Sequence, residues 1–347
     1  MKGRRFCLDN VRNVTKRDKR IPVLLLMCTA LSLTGCGRQA ESTAADKDVK
    51  IVCTVFPEYD WVKQILGERA ADAEITLLMK NGTDLHSYQP AVWDIRKIAD
   101  ADLFLYVGGE SDYWVEAVLA NGTNPDQRIL NLMEILEDST VAEEHVEGMQ
   151  GEREDTHSEE DEGAETEYDE HVWLSLRNAQ TVCQAITEEL CALDEEYGSI
   201  YRENNRIYCE ELHELDLEYE QAVGQTREPV LLFGDRFPFR YLTEDYGIAY
   251  YAAFPGCSAE TEAGFSTISF LAEKAGELDL PVILSIDGSD QKIARTIADN
   301  TRTRDQKVRM LDSMQSVSSE ELENGVSYLS IMEDNLEVLK EALAIRR

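Results

Sequence analysis

Lys50-Ile51-Val52-Cys53-Thr54-Val55-Phe56 is the stretch that decides the fold, because it predicts a buried β-strand that Pro57 ends. Short apolar segments then alternate with amphipathic ones: helix at 59–67, strand at 74–79, helix at 91–100 and strand at 103–107. Strands that alternate with helices in this way predict a parallel sheet with helical crossovers. Ligands of such sheets bind at the carboxyl ends of the strands.

A second block of the same kind lies near the end of the chain. It predicts strands at 230–233, 248–252, 282–286 and 308–311, helices at 239–246, 261–277 and 291–300, and a last helix at 331–343. Between the blocks, residues 176–225 carry apolar side chains at helical spacing, with a break at Gly198. The helix after this break would have 25 residues and a length of about 37 Å. The fold class expected is α/β, with two lobes built on parallel sheets and joined by one long backbone helix.

The N-terminus predicts an export signal. A basic segment at 16–20 precedes an apolar run of 13 residues at 21–33, which is too short for a typical membrane-spanning helix. The run ends in Leu33-Thr34-Gly35-Cys36, which is similar to a bacterial lipobox with Cys36 as the lipidated residue. The alternative is an ordinary cleaved signal with an incidental cysteine.

These patterns divide the chain into five parts. Residues 1–35 are the predicted signal peptide and 36–49 a polar tether. Residues 50–175 form the N-terminal lobe, with an acidic loop at 138–170; 176–228 form the helical linker, and 229–347 the C-terminal lobe.

The charge of the chain is strongly negative. Its 347 residues contain 34 basic and 68 acidic side chains, a net charge of −34. Such a surface repels nucleic acid and attracts cations, so a nucleic-acid partner is not expected. Fourteen of the 28 residues from Glu143 to Glu170 are acidic, which predicts a mobile loop outside the core.

The five histidines fall into three groups. His86 and His171 lie in turn-like segments where a bound metal would explain them, since imidazole is the commonest metal ligand. His145 and His157 lie in the acidic loop, where they are either part of a solubilising insert or a weak accessory arm that gathers metal. His213 is expected to be a solvated helix residue.

The cysteines give no zinc-finger pattern, because no two form a CxxC pair. Cys53 and Cys257 lie in or beside apolar strands and are expected in the core. Cys183, Cys191 and Cys209 fall in helical segments, where a disulfide among them would be compatible with an oxidising compartment.

Several motifs together resemble the metal-binding lipoproteins of ABC transporters for zinc and manganese (cluster A-I). The motifs are Gly82…His86-Ser87-Tyr88…Pro90, Tyr106-Val107-Gly108-Gly109…Trp114, His171-Val172-Trp173…Asn178-Ala179, Tyr201-Arg202-Glu203-Asn204 and Leu311-Asp312-Ser313. The resemblance covers residues 51 to 343. It implies a metal site between the lobes, with His86, His171 and Asp312 as ligands.

The third ligand is where the sequence departs from this family. Members supply a histidine or a glutamate five residues before the tyrosine matched by Tyr241, and that position holds Arg236, which cannot bind a metal. A one-residue insertion would place Asp235 there, so Asp235 is the predicted ligand; its alternative role is a helix N-cap. Glu260 and Asp287 are the substitutes if Asp235 only caps.

The function that the resemblance implies is capture rather than catalysis. A Zn²⁺ ion, or Mn²⁺, would be bound outside the cell membrane and passed to an ABC permease and its ATPase by a monomeric, lipid-anchored protein. The alternatives are a surface adhesin or structural lipoprotein stabilised by the metal, and a metallohydrolase. The sequence has no HExxH, Gly-x-Ser-x-Gly or Walker motif, so an enzyme is not expected.

Overall fold

Two four-stranded parallel sheets form the framework of the protein. A computed structural model describes residues 49–120, 122, 124–151, 167–258 and 262–345. The strands of the first sheet are β1 (Lys50–Cys53), β2 (Glu74–Leu77), β3 (Leu103–Tyr106) and β4 (Arg128–Asn131), and those of the second are β5 (Val230–Phe237), β6 (Ala249–Pro255), β7 (Val282–Ile286) and β8 (Lys307–Leu311). The strand orders are β2-β1-β3-β4 and β6-β5-β7-β8, so both lobes have the same topology. The predicted fold class is confirmed.

The helices provide the crossovers and the connection between the lobes. In the described residues they are α1 (Phe56–Leu66), α2 (Val92–Asp100), α3 (Trp114–Leu119), α4 (Leu132–Ile135), α5 (Leu176–Leu193), α6 (Gly198–Val223), α7 (Arg240–Tyr246), α8 (Phe265–Glu277), α9 (Lys292–Asn300), α10 (Ser319–Glu323) and α11 (Tyr328–Ala342). None of these helices is long and apolar enough to cross a membrane.

Central strands are apolar throughout because helices cover both faces of each sheet. All five residues of β7 are buried, and Ile51, Val52 and Cys53 of β1 are buried as well. One apolar core runs from the first sheet through α5 and α6 to one face of the second sheet. A smaller core under α8 and α9 covers the other face of that sheet.

The long helix α6 ties both parts of the molecule together. Its 26 residues span about 39 Å. Near its start the Asn204 amide donates to the carbonyl of Ile65 in α1, at 2.9 Å. Near its end the Tyr219 hydroxyl donates to the carbonyl of Met332 in α11, at 2.6 Å. The helix predicted after Gly198 is therefore confirmed in position and length.

Several boundaries differ from the sequence prediction. Helix α1 starts at Phe56 rather than residue 59, because the Glu58 carboxylate accepts the backbone N–H of Val55 at 3.3 Å and so caps the helix start, and Pro57 is compatible with the first turn. Strand β4 was not predicted. Strand β5 continues to Phe237, which places Asp235 inside a strand, so its alternative role as a helix N-cap is wrong.

The acidic stretch is only partly a separate loop. Residues 152–166, including His157, lie outside the described residues, as do the predicted signal and Cys36. An isolated antiparallel bridge joins Ala142 to Tyr168 at the base of the stretch. Asp169 and Glu170 are buried, so the expectation that the whole stretch stays outside the core is wrong at its C-terminal end.

Candidate metal centre

His86 is presented by a short turn beyond the first sheet. A single 3₁₀ turn, Leu85–Ser87, follows the loop after β2, and the side chain of Asp84 caps it. The Asp84 carboxylate accepts the backbone N–H of His86 at 2.9 Å. Leu85 is buried and anchors the turn, while the His86 ring faces the space between the lobes.

His171 sits deeper, at the end of the acidic stretch. The Asp169 carboxylate accepts both the backbone N–H of His171, at 2.8 Å, and its ring Nδ1, at 3.0 Å. A 3₁₀ turn, Val172–Leu174, follows and is entirely buried. Complete burial works to lower the pKa of His171, but the carboxylates of Asp169 and Glu170 together outweigh it, and the pKa is raised.

The two imidazoles converge through their Nε2 atoms, which lie 3.3 Å apart. A carboxylate has no proton to donate, so Nδ1 of His171 carries a hydrogen, and the neutral form of the ring presents a lone pair at Nε2. Two nitrogens that each lie 2.0–2.1 Å from a tetrahedral Zn²⁺ ion are separated by about 3.3 Å. The pair therefore has the spacing of two ligands of one ion.

A second carboxylate supports His86. Ring Nδ1 of His86 lies 2.8 Å from the Ser111 hydroxyl and 3.5 Å from Glu170 Oε2. Glu170 also accepts the Ser111 backbone N–H at 2.7 Å. Burial works to raise the pKa of Glu170, yet its contacts with His86 and Ser111 lower it, so it stays ionised beside the ring. Carboxylates behind metal-binding histidines fix the ring orientation and raise ligand basicity.

Cys257 is the donor that the sequence analysis missed. Among the described residues, one ring nitrogen each of His86 and His171 and the Cys257 thiol form the group of three metal-binding atoms within 4.8 Å of one another. The prediction that Cys257 belongs to the core is wrong: it is half-buried, two residues after β6. Burial, together with Asp169 and Glu143, raises the pKa of its thiol. Its place just after a strand end was the available signal.

The carboxylates predicted as ligands are not in this cluster. Asp235 and Asp287 line a cleft cavity of about 480 Å³ that also contains His86. Asp235 accepts the backbone N–H of Arg236 at 3.0 Å. Asp287 is more fully engaged, because its oxygens accept the backbone N–H and hydroxyl groups of both Ser313 and Ser316.

Asp312 lies near Asp287 but is not among the residues that line the cavity. Its carboxylate accepts the backbone N–H of Met314 at 2.7 Å. Burial, and then the charge of Asp287, raises the pKa of Asp312 to about 7. Glu260, the other substitute, lies outside the described residues.

Arg236 occupies the cleft instead of a ligand. Its guanidinium donates to Asp84 Oδ2 at 2.7 Å, and so pairs the second lobe with the turn that carries His86. Burial works to raise the pKa of Asp84, but Arg236 lowers it. The arginine therefore makes an ion pair between the lobes at the position where the resemblance implies a third ligand.

The remaining predicted residues are placed as follows. His145 is exposed and outside the cluster, and His213 is exposed on α6 as expected. The described cysteines, Cys53, Cys183, Cys191, Cys209 and Cys257, are all free thiols.

Two parallel-sheet lobes with a polar cleft between them define the class of two-lobe solute-binding proteins. The ZnuA family, described as "Zinc-uptake complex component A periplasmic", matches residues 51–342. The chain belongs to this family, which confirms the resemblance drawn from its motifs.

Curated relatives carry names of the same kind. The zinc-binding lipoprotein AdcA of Streptococcus pneumoniae is 29% identical over 323 residues, which are 93% of this chain and 61% of the relative. The high-affinity zinc uptake system protein ZnuA of Bacillus subtilis is 28% identical over 322 residues, 91% of this chain and 95% of the relative. This chain thus spans about three fifths of the AdcA length.

Solved structures show the same fold. The Zn(II)-bound ZnuA-like domain of S. pneumoniae AdcA has a TM-score of 0.66 at 24% identity, and the match covers 85% of this chain and 99% of that domain. The metal-dependent lipoprotein YcdH of B. subtilis has a TM-score of 0.66 at 24% identity, with coverage of 86% and 100%.

Proposed function

We propose that this protein captures one divalent metal ion, with zinc favoured, between its lobes and delivers it to an ABC importer. The observation that carries the proposal is the 3.3 Å separation of His86 Nε2 and His171 Nε2, each ring backed by a carboxylate. Without a cation, one of these two Nε2 atoms must carry a hydrogen; with a cation bound between them, both can present a lone pair. The names of the two curated relatives, both of which refer to zinc, support the choice of metal.

The ligands proposed are His86 and His171 from the first lobe and Asp235 from the second. Asp235 lines the same cavity as His86, and its oxygens are less engaged than those of Asp287. Asp312 is the remaining predicted ligand, and its role is left to the same test. Manganese prefers more oxygen ligands than two imidazoles leave room for, so zinc is the better match.

The site would work outside the cytoplasmic membrane. We propose that Cys36 is lipidated and holds the protein at the membrane surface, where its partners would be a permease and the ATPase that drives it. The excess of acidic side chains, 68 against 34 basic ones, would raise the local concentration of cations near the site.

Calorimetric titration with zinc and with manganese tests the proposal. The wild-type protein should bind one zinc ion reversibly, and the double variant His86→Ala with His171→Ala should lose this binding. His213→Ala is the matched control, because His213 is an exposed histidine on α6. Unchanged zinc and manganese binding in the double variant would contradict capture at this site.

Asp235→Ala and Asp312→Ala complete the series. Loss of affinity in one variant alone would assign the second-lobe carboxylate, and no loss in either would remove both from the ligand set. The same samples separate the rival functions: a structural metal site should unfold on chelation, and a hydrolase should turn over a test ester or phosphate. A capture protein should remain folded on chelation and should not turn over the test ester or phosphate.

A further inference from the structure

The proposed site needs a donor from the second lobe, and residue 236, where the resemblance places that donor, cannot bind a metal. Arg236 is a permanent cation, and its guanidinium is committed to Asp84 and to the carbonyl of Ser258, at 2.7 and 3.4 Å. Asp235 lines the cleft but is not part of the group around the histidine pair; its Oδ2 lies 3.5 Å from the backbone N–H of Ile286, so it is a carboxylate for a fourth position. The donor that does meet the histidine pair comes from the neighbouring strand.

The C-terminal end of strand β6 lies against His171. It pairs with β5 up to Phe237 and Pro255, and Gly256 follows directly. A Cβ atom at Gly256 would lie 2.9 Å from the Phe237 carbonyl oxygen and 3.2 Å from Cε1 of His171. Only glycine fits this approach without displacing its neighbours. The next side chain, Cys257, therefore reaches the cluster, and its backbone N–H donates to Glu143 at 3.4 Å.

The distances suit a shared ion. In a tetrahedral zinc site a sulfur at 2.3 Å and a nitrogen at 2.0–2.1 Å from the metal are about 3.6 Å apart. The Cys257 thiol and one ring nitrogen of each histidine already lie within 4.8 Å of one another. Closing the remaining gap requires a movement of no more than about 1.2 Å, which a rotation of the cysteine side chain can supply.

We propose that Cys257 is a metal ligand of this protein, so that the donor set is two imidazoles and one thiolate. The inference rests on the metal capture proposed above and specifies its chemistry. Thiolate ligands favour zinc and other thiophilic ions and disfavour manganese, which binds oxygen donors. The thiol proton leaves to solvent as the metal–sulfur bond forms, with no change of oxidation state. A carboxylate or a water can occupy the fourth position.

Cobalt(II) is the probe that reports the sulfur directly, because a cobalt–thiolate bond gives a near-ultraviolet charge-transfer absorption that nitrogen and oxygen ligands do not. The reduced wild-type protein should show this band on titration with Co²⁺, and zinc should abolish it. Cys257→Ser should lose the band and bind zinc more weakly by on the order of 100-fold, since even supporting residues around a metal contribute 10–100-fold. Cys209→Ser is the matched control, because Cys209 is also a half-buried free thiol.

Cys257→His separates ligation from a packing role. It should recover much of the zinc affinity lost in Cys257→Ser while giving no charge-transfer band. If the wild type binds zinc but shows no band, or if Cys257→Ser keeps both the band and the affinity, the thiolate assignment is wrong and metal capture stands. If the wild type binds neither cobalt nor zinc, metal capture itself fails.

Discussion

Two segments of identical pattern, Asp84-Leu85-His86 and Asp169-Glu170-His171, carry the histidines in different ways. In both, the aspartate accepts the backbone N–H of the histidine two residues later, at 2.9 and 2.8 Å. Asp169 also holds its histidine ring, whereas Asp84 directs its other oxygen to Arg236. The His171 side chain is 0% exposed and that of His86 is 12% exposed. The same local turn therefore yields one histidine that is fixed in the interior by its own segment and one that is held near the surface by residues remote in sequence.

The largest expected effect comes from removing either histidine. His86→Ala and His171→Ala should each lower zinc affinity by more than about 100-fold, because a ligand contributes at least as much as its supporting residues. His171→Ala should also lower the free energy of unfolding of the metal-free protein, by about 1–3 kcal/mol and by more than His86→Ala, since it leaves the buried Asp169 carboxylate without its ring partner, whereas Glu170 beside His86 keeps the Ser111 backbone N–H. Calorimetry and urea unfolding measure the two effects. Equal losses of stability would contradict the assignment of His171 to the interior and of His86 to a position near the surface.

Next in size is the pair of aspartates. Asp169→Asn should lower zinc affinity by about 10–100-fold, because the amide no longer offers a negative charge to His171 Nδ1. Asp84→Asn should change it by less, since the Asp84 carboxylate touches the backbone of His86 and not its ring. Zinc titration of both variants decides the point. The comparison fails if Asp84→Asn is the more damaging of the two.

A smaller effect of opposite sign is expected at Arg236. Its positive charge disfavours the protonated form of His171 and would also repel a divalent ion bound in the same cleft. Arg236→Gln should therefore raise zinc affinity by about fivefold, for a repulsion of about 1 kcal/mol in a water-like medium. The gain should shrink at high salt. Arg302→Gln is the control, because Arg302 is exposed beyond α9; a loss of affinity in Arg236→Gln would mean that the ion pair with Asp84 positions the His86 turn.

The smallest effect on metal binding is expected from Glu58, a buried carboxyl group near Asp112 in the first lobe. Burial, and then the charge of Asp112, raises the pKa of Glu58 to about 8; Asp112 follows Ser111, the partner of His86. Because the folded pKa lies above the unfolded value of about 4.3, the stability linked to Glu58 is present at acid pH and is lost as pH rises toward 8. Glu58→Gln should flatten this part of the stability profile and leave zinc affinity unchanged. Urea unfolding from pH 5 to 9 tests it, and an unaltered slope would refute it.

Sequence patterns predicted most elements of the fold because long apolar runs and apolar residues at helical spacing mark the surfaces that are buried in the folded protein. The strand at 282–286 and the helix after Gly198 have the predicted bounds or length. The pattern failed at β4, where only Ile129 and Leu130 are apolar between Arg128 and Asn131. It also failed at the end of β5, where Gly234 and Asp235 interrupt an apolar run and pairing with β6 nevertheless continues to Phe237.

The candidate site was predictable only in part for a related reason. His86 and His171 stand out as rare residues in turns, and the structure brings their Nε2 atoms together. The carboxylates behind them were hidden within an acidic stretch whose composition indicates solvent exposure. Cys257 follows an apolar strand and was therefore predicted to be in the core. The sequence does not show that the end of this strand faces the other lobe.

Residues 169 and 170 are consecutive, yet they face different lobes. The Asp169 carbonyl accepts the Tyr241 hydroxyl of α7 at 2.7 Å, and the nearby Trp173 indole donates to the Ser313 carbonyl after β8 at 2.9 Å. Glu170 instead holds Ser111 of the first lobe. His171 is thus coupled to the second lobe although it precedes the linker in the chain. If the proposed ion binds between the two imidazoles, a separation of the lobes that moves His171 with the second lobe would draw them apart, and release of the ion would follow from opening.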